Sequence, residues 1–478
     1  WKEDTITVAV PGRGLTKVTL HTSQIEEKAQ AIRALYELLT ALPSAWAPYL
    51  IVTWQALEPL LSYAYHADIR TTAAQSMAAL IEAGFSSEHA QVWEGCPPVA
   101  KIISDQLINE ANTEPEEWYT IADSLSEVMF SAFTRKDDGE ATLRQYYTGE
   151  IANHIVQNCG MALQKCLQRR ATLAVQMSKS NNPDEQASRQ EQLQDEQKLM
   201  TPLVDSIGYT LKILGPAFAP IFEQKVAPLL GPFLTDNPDT RACWSAVCLF
   251  DDCVEHCGRE AAARFAPQLL PAALSGMTDA EDQDLRQVSI YGIAQIARYA
   301  PASVLVPHVD MIISELASIA SQPKDSSDNV AIHENCVSAL GSLVLFPSAP
   351  FRGKYLKAEM ATKLLLDNMP LTMDFDEAKV CSAGLCDLVE SAFIPFASNV
   401  TSLVRVIGET LALVSEDEEV ATEPVCARMA DILVNLQREG SASDLEAAFS
   451  TLSQESQVAI QSAVQQYSWA NKSHVVTP

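Results

Sequence analysis

The 478-residue chain carries 33 Lys and Arg against 61 Asp and Glu, a formal net charge of −28 with its histidines neutral. Its 47% hydrophobic content excludes disorder for most of the length. A surface this negative makes duplex nucleic acid and anionic membrane surfaces poor partners, since phosphate needs Lys and Arg to neutralise it, and it suits basic proteins; no direct nucleic-acid binding and no membrane insertion are expected.

The chain opens on Trp1-Lys2-Glu3-Asp4, with neither an initiator Met nor a basic-then-apolar signal pattern, and reads as a fragment of a longer protein. Thr5–Val10 and Leu15–Leu20 alternate as strands do, so residues 1–22 are expected to be non-helical or strand-like, with Gly12-Arg13-Gly14 as a turn. From residue 23 onward apolar residues recur at helical spacing. The stretch Ala45–Ala64 has Glu58 as its only charge and nears membrane-spanning length. Pro48 and Pro59 interrupt it, and it reads as a buried core helix.

Breaks at Pro, Gly, Asp and Asn separate helices that come in pairs: 46–65 with 68–84, 216–235 with 237–257, 260–276 with 280–299, 302–321 with 327–346, 355–369 with 374–394, and 397–414 with 418–437. Three inter-helix turns share Asp68-Ile69-Arg70, Asp239-Thr240-Arg241 and Asp284-Leu285-Arg286, where the acidic residue is expected to cap the second helix. Small residues downstream (Ala73, Ala74, Ala78; Ala242, Ala246; Gly292, Ala294) permit close helix approach. A period in the forties with this chemistry predicts an all-α HEAT-repeat solenoid, a right-handed superhelix of antiparallel helix pairs with one helix of each lining its concave side. Repeats are expected over 23–177 and 199–440, with C-terminal helices and a tail over 441–478. Between the two blocks, Ser178–Lys198 has no apolar stripe and reads as an exposed polar insertion, either a solvated linker or a flexible acidic arm.

Phe250-Asp251-Asp252-Cys253-Val254-Glu255-His256-Cys257, then His333-Glu334-Asn335-Cys336-Val337-Ser338-Ala339, resemble the importin-5 (karyopherin beta-3) branch of the importin-β family. So, in the same order, do His21-Thr22-Ser23 with Glu26-Glu27-Lys28-Ala29, Arg70 with Ala73-Ala74 and Ser76-Met77, Thr113-Glu114-Pro115, Cys386-Asp387-Leu388-Val389-Glu390-Ser391, and Leu452-Ser453 through Ala459-Ile460-Gln461. The likeness spans nearly the whole chain and corresponds to the family's C-terminal half. It departs at the Gln-rich insertion and around Asn237-Pro238. The resemblance implies a nuclear import receptor shuttling between cytoplasm and nucleus. Its implied partners are cargo bearing nuclear localisation signals, FG nucleoporins, and the GTPase Ran, held mainly through the N-terminal half.

On an ideal helix Trp244, Cys248, Asp251, Asp252 and Glu255 fall in one arc, opposite Val247, Phe250, Cys253 and Val254. Carboxylates beside an indole suit a basic peptide. Comparable stripes pair Asp123 with Glu127, Tyr291 with Gln295, Glu334 with Ser338, and Asp387 with Glu390. The cargo-binding candidates are Asp123, Glu127, Trp244, Asp251, Asp252, Glu255, Tyr291, Gln295, Glu334, Asn335, Asp387 and Glu390.

Catalytic signatures are missing: no Gly-x-Ser-x-Gly elbow, phosphate-cradling loop or His-Glu-x-x-His. His333 and Glu334 are adjacent and diverge. The eleven cysteines contain no Cys-x-x-Cys and read as core residues of a reducing compartment. Cys243, Cys248, Cys253, His256 and Cys257 share one helix and cannot supply four converging ligands to a zinc. No enzyme, metal or cofactor is expected. The rival reading is a HEAT scaffold of another class, such as a phosphatase regulatory subunit or another protein-interaction array; a tubulin-binding array is disfavoured because tubulin is acidic.

Overall fold

The computed structural model describes residues 3–10, 14–63, 66–87, 90–109, 115–134, 145–235, 239–322, 327–345, 358–391, 394, 396–439 and 442–473. Gly12, Arg13, Thr113, Glu114, Asn237, Pro238 and the tail at 474–478 lie outside them. The chain divides into two units, Trp1–Pro232 and Phe233–Pro478.

In the first unit, β1 (Glu3–Val10) and β2 (Gly14–His21) form an antiparallel hairpin with Ile6 opposite Val18. The helices are α1 (Thr22–Ala41), α2 (Leu50–Leu61), α3 (Ala67–Ser86), α4 (Ala90–Asn109), α5 (Pro115–Thr134), α6 (Gly149–Lys179) and α7 (Pro183–Leu214). They pack in two layers. Helices α1, α3, α5 and α7 lie side by side, and α2, α4 and α6 form the second layer against them. Helix α3 is enclosed by neighbours on most sides, so Ile69, Ala73, Ala74, Met77, Ala78, Leu80 and Ile81 are all buried. Its alanines keep the axes close. A Cβ on Gly84 would lie 2.4 Å from Val92 of α4 and 2.7 Å from Leu50 of α2.

The stretch expected as one apolar helix at 45–64 is a 3₁₀ turn, Pro43–Tyr49, leading into α2. Only one face of α2 is buried, through Leu50, Thr53, Leu57 and Leu61, while Val52 is 62% exposed. Among the described residues no helix is long and apolar enough to cross a membrane.

The polar segment 178–198 is not a flexible arm. Helix α6 runs to Lys179 and α7 starts at Pro183, so all but the turn at 180–182 is helical, though largely exposed. Asn182 accepts a hydrogen bond from the Asp184 amide at 3.1 Å, Pro183 occupies the first turn, and Asp184 and Glu185 sit at the positive end of the dipole. Arg169 grips Glu196 across the pair, and Arg170 donates to the Leu193 carbonyl at 3.0 Å. Beyond α7, Pro216, Pro220 and Pro228 break the ladder into short 3₁₀, α and π turns from Gly215 to Leu230, with Phe218, Phe222, Val226 and Leu230 buried.

The second unit repeats the plan with α8 (Thr240–His256), α9 (Arg259–Gly276), α10 (Gln283–Tyr299), α11 (Val309–Ala320), α12 (Ser327–Leu345), α13 (Ala358–Asn368), α14 (Phe375–Glu390), α15 (Phe396–Ser415), α16 (Glu423–Glu439), α17 (Ala442–Ser450) and α18 (Gln454–Ser473). Helices α8, α10, α12, α14 and α16 stack in one layer; α9, α11, α13, α15 and α18 cover them. Each unit therefore has the two-layer pairing of a HEAT solenoid, in which no pair hides its apolar face alone.

The shared turn acids behave differently from one another. Asp239 caps α8, its carboxylate accepting from the Ala242 amide at 3.2 Å. Asp68 and Asp284 instead lie inside the first turn, because His66 and Asp282 occupy the cap positions. Asp282 accepts from the Leu285 amide at 2.9 Å, and Asp284 receives Arg241 of α8 at 3.4 Å.

Candidate functional site

In the first unit the predicted pair Asp123 and Glu127 lies on the free face of α5. Tyr119, one turn before, donates to Asp123 Oδ1 at 3.4 Å. Crowding by the surrounding protein, then the charges of Asp123 and of Glu82 on α3, push the Glu127 carboxyl up to about 7. Burial also raises Asp123, against the pull of the Tyr119 hydroxyl. None of Glu82, Asp123 and Glu127 forms an ion pair among the described residues. Aromatic rings bound the cluster: Tyr119 is 39% exposed and Phe130 49%. Phe130 packs on Tyr209 of α7 with centroids 5.5 Å apart, which holds this end of the stripe in place. Sequence reasoning missed Glu82, Tyr119 and Phe130. The aromatics stand at helical spacing from Asp123 and Glu127, a signal available in the sequence, whereas Glu82 comes in only through the packing of α3 on α5.

The second unit treats its predicted residues otherwise. Trp244 is already covered by the Arg241 guanidinium, 3.6 Å from the ring centroid, so its cation–π face is occupied within the chain. The arc predicted as an open face turns partly inward. Asp251 is 2% exposed and lies against Gly292 of α10, and Asp252 is half-buried. Glu255 accepts a hydrogen bond from Tyr291 at 2.8 Å and stands 3.6 Å from His256. Burial, and then the Glu255 charge, drive the Tyr291 hydroxyl well above the usual tyrosine range. Gln295 is wholly buried. Helix α8 packs between α9 and α10, and this is why its predicted outer arc is largely enclosed.

Glu334 is an anchor inside the fold. Its carboxylate accepts from the Thr372 amide at 2.7 Å, the Thr372 hydroxyl at 3.0 Å, and the Met373 and Asp374 amides at 3.0 and 3.1 Å, fixing the turn before α14. Asn335 beside it lines an open groove. Asp387 and Glu390 share Arg428 of α16, whose guanidinium lies 2.5 Å from Asp387 and 2.7 Å from Glu390. Their charge is thus met internally.

All eleven cysteines are free thiols, and Cys243 and Cys248 alone are not fully buried. Burial pushes Cys96, Cys159 and Cys336 up to about 12, far from a nucleophilic thiolate. Among the described residues no group of three or more His, Cys, Asp or Glu could hold a metal ion. His333 is buried, with its ring nitrogen 2.7 Å from the Ala320 carbonyl.

No protein-family model matches the sequence. The fold is that of karyopherin HEAT-repeat solenoids. Kap121p bound to the SUMO protease Ulp1p aligns at 18% identity and a TM-score of 0.67, covering 97% of this chain and 39% of that one. Kap121p bound to RanGTP gives 18% and 0.66 over 97% and 39%, and Kap121p bound to Ste12p gives 18% and 0.67 over 97% and 38%. This chain thus spans about two-fifths of the length of the structures it matches.

Proposed function

We propose that the chain is the C-terminal half of an importin-β-family nuclear transport receptor, of the importin-5 (karyopherin beta-3) type, and that it holds basic cargo for import regulated by Ran. The carrying observation is the stripe on α5, where carboxylates with no internal cation stand between exposed aromatic rings. Lys and Arg ammonium or guanidinium groups meet Glu82, Asp123 and Glu127, while their aliphatic stems and charges lie over Tyr119 and Phe130. The work is reversible binding, and the receptor shuttles between cytoplasm and nucleus. The Kap121p complexes with Ste12p and RanGTP support this reading through the shared fold.

The test is fluorescence anisotropy of a labelled Lys-rich localisation peptide with the whole chain, at low and high salt. The combined change Glu82→Gln, Asp123→Asn and Glu127→Gln should weaken binding by about tenfold or more and flatten its salt dependence. Equal affinity of the variant and the parent would remove this site.

A further inference from the structure

Helix α6 is buried along one side through Ile155, Cys159, Ala162 and Cys166. At 100° per residue, Met161, Lys165, Gln168, Thr172, Val175 and Lys179 fall within an arc of about 80° on the opposite side. Their spacing alternates between four and three, the 3.5-residue period of a coiled-coil seam. Met161 is 42% exposed and Val175 51%, and they are the two apolar side chains of the stripe. Each is followed four residues later by a lysine. The two apolar–Lys steps stand two heptads apart, about 21 Å along the helix axis.

The charge of this face is opposite to that of the molecule. Residues 151–183 contain no Asp or Glu, in a chain that has 61 of them. Lys165 and Lys179 form no ion pair among the described residues. Lys225 adds a third cation, its Nζ donating to Gln157 Oε1 at 3.0 Å, one turn before Met161. Carboxylates on α7 are engaged by other cations: Glu196 by Arg169, Glu185 by Arg189 at 3.5 Å, and Asp195 by Lys198 at 3.1 Å.

We infer that this face docks an acidic amphipathic helix of a partner protein, laid along α6. The side of a helix has no main-chain N–H or C=O to spare, so an extended segment gains no backbone partners there, whereas a helix arrives with its own satisfied. Apolar side chains of the partner cover Met161 and Val175, and its carboxylates meet Lys165, Lys179 and Lys225. Gln168 and Thr172 between them keep the centre of the seam polar, which suits a contact that opens again. The net charge of −28 repels an acidic partner elsewhere, so it also fixes where that partner settles.

None of these residues belongs to the carboxylate stripe on α5, so this proposal and the cargo reading fail separately. The probe is a fluorescein-labelled helical peptide of about 20 residues, with leucines at heptad spacing flanked by glutamates in an alanine-glutamine background, titrated into the whole chain. Lys165→Glu combined with Lys179→Glu should weaken binding by about tenfold or more and flatten its salt dependence. Met161→Ser with Val175→Ser should cost about fivefold and leave the salt dependence as it was. The changes at Glu82, Asp123 and Glu127 should leave this binding untouched. A proline at the centre of the peptide should abolish binding to the parent, since it breaks the helix. If the charge-reversed chain does not fold, the serine pair and the proline peptide decide. Unaltered affinity of either double variant, equal binding of the proline peptide, or equal binding of a version with lysine in place of every glutamate would each overturn the proposal.

Discussion

Arg298 of α10 reaches past α12 to grip Glu377 of α14, Nη1 to Oε1 at 2.7 Å and Nη2 to Oε2 at 2.5 Å. Ser338 and Ser342 of α12 are small enough to let it pass, and they accept from the same guanidinium at 2.7 and 2.8 Å. Both charged side chains are under a tenth exposed. The pair thus ties three successive stacked helices in a way that apolar packing between nearest neighbours does not.

Removing one partner strands the other charge in the interior. Glu377→Ala should cost about 3–5 kcal/mol of unfolding free energy for the second unit, and Arg298→Met with Glu377→Leu should recover much of it. Burial alone would raise the Glu377 carboxyl, but Arg298 and Ser338 hold it below the ordinary value of 4.5. A depressed carboxyl contributes stability that is complete above the unfolded value and fades as pH falls below it. Urea titrations from pH 7 to pH 3 should show that loss in the parent and not in the apolar double variant.

Glu334 separates an anchor from a binding residue. It is 5% exposed and its carboxylate collects four donors from the turn at 372–374. Hydrogen bonds to a charged group contribute about 1.5–3 kcal/mol each. Glu334→Ala should therefore lower stability by about 3 kcal/mol or more and speed amide exchange at Met373 and Asp374. Its affinity for a Lys-rich peptide at the α5 stripe should not change; a selective loss of that binding in a fully folded variant would return Glu334 to the cargo track.

The helix pairs were legible because apolar residues recur at 3.6-residue spacing and Pro, Gly and Asp punctuate them. The helical start at Asn182-Pro183-Asp184-Glu185 carried its own capping signal, but 183–198 has no apolar stripe, and the helix persists there through Arg169, Arg170 and their partners across α6 and α7. What the sequence could not disclose is which carboxylates are already satisfied. Spacing places Asp387 and Glu390 on one face just as it does Asp123 and Glu127. Only the packing of α16 on α14 brings Arg428 to the first pair, and nothing comparable reaches the second.

Glu127 makes cargo binding dependent on pH. With its carboxyl near 7, a fraction is protonated at neutrality, and a bound cation favours the ionised form. A carboxyl raised on folding contributes stability at low pH that disappears as pH climbs through about 7, so the ionised cluster is the costlier state until a cation joins it. Affinity for a Lys-rich peptide should rise from pH 6 to pH 8, with proton release visible by calorimetry in buffers of different ionisation enthalpy. Glu127→Gln should abolish both effects, and a parent whose affinity is flat over this range would contradict the assignment.

Arg428 masks a second acidic pair at little structural cost. Its forked contacts to Asp387 and Glu390 are solvent-exposed, with those carboxylate side chains 64% and 48% exposed, so screening limits their contribution to about 1 kcal/mol or less. Arg428→Ala should then leave the unfolding midpoint nearly unchanged while uncovering two carboxylates on α14. Basic peptide binding by the second unit should strengthen, most clearly at low salt where the Debye length is long. A variant that binds no better than the parent, with its fold intact, would mean that the pair faces a surface cargo does not reach.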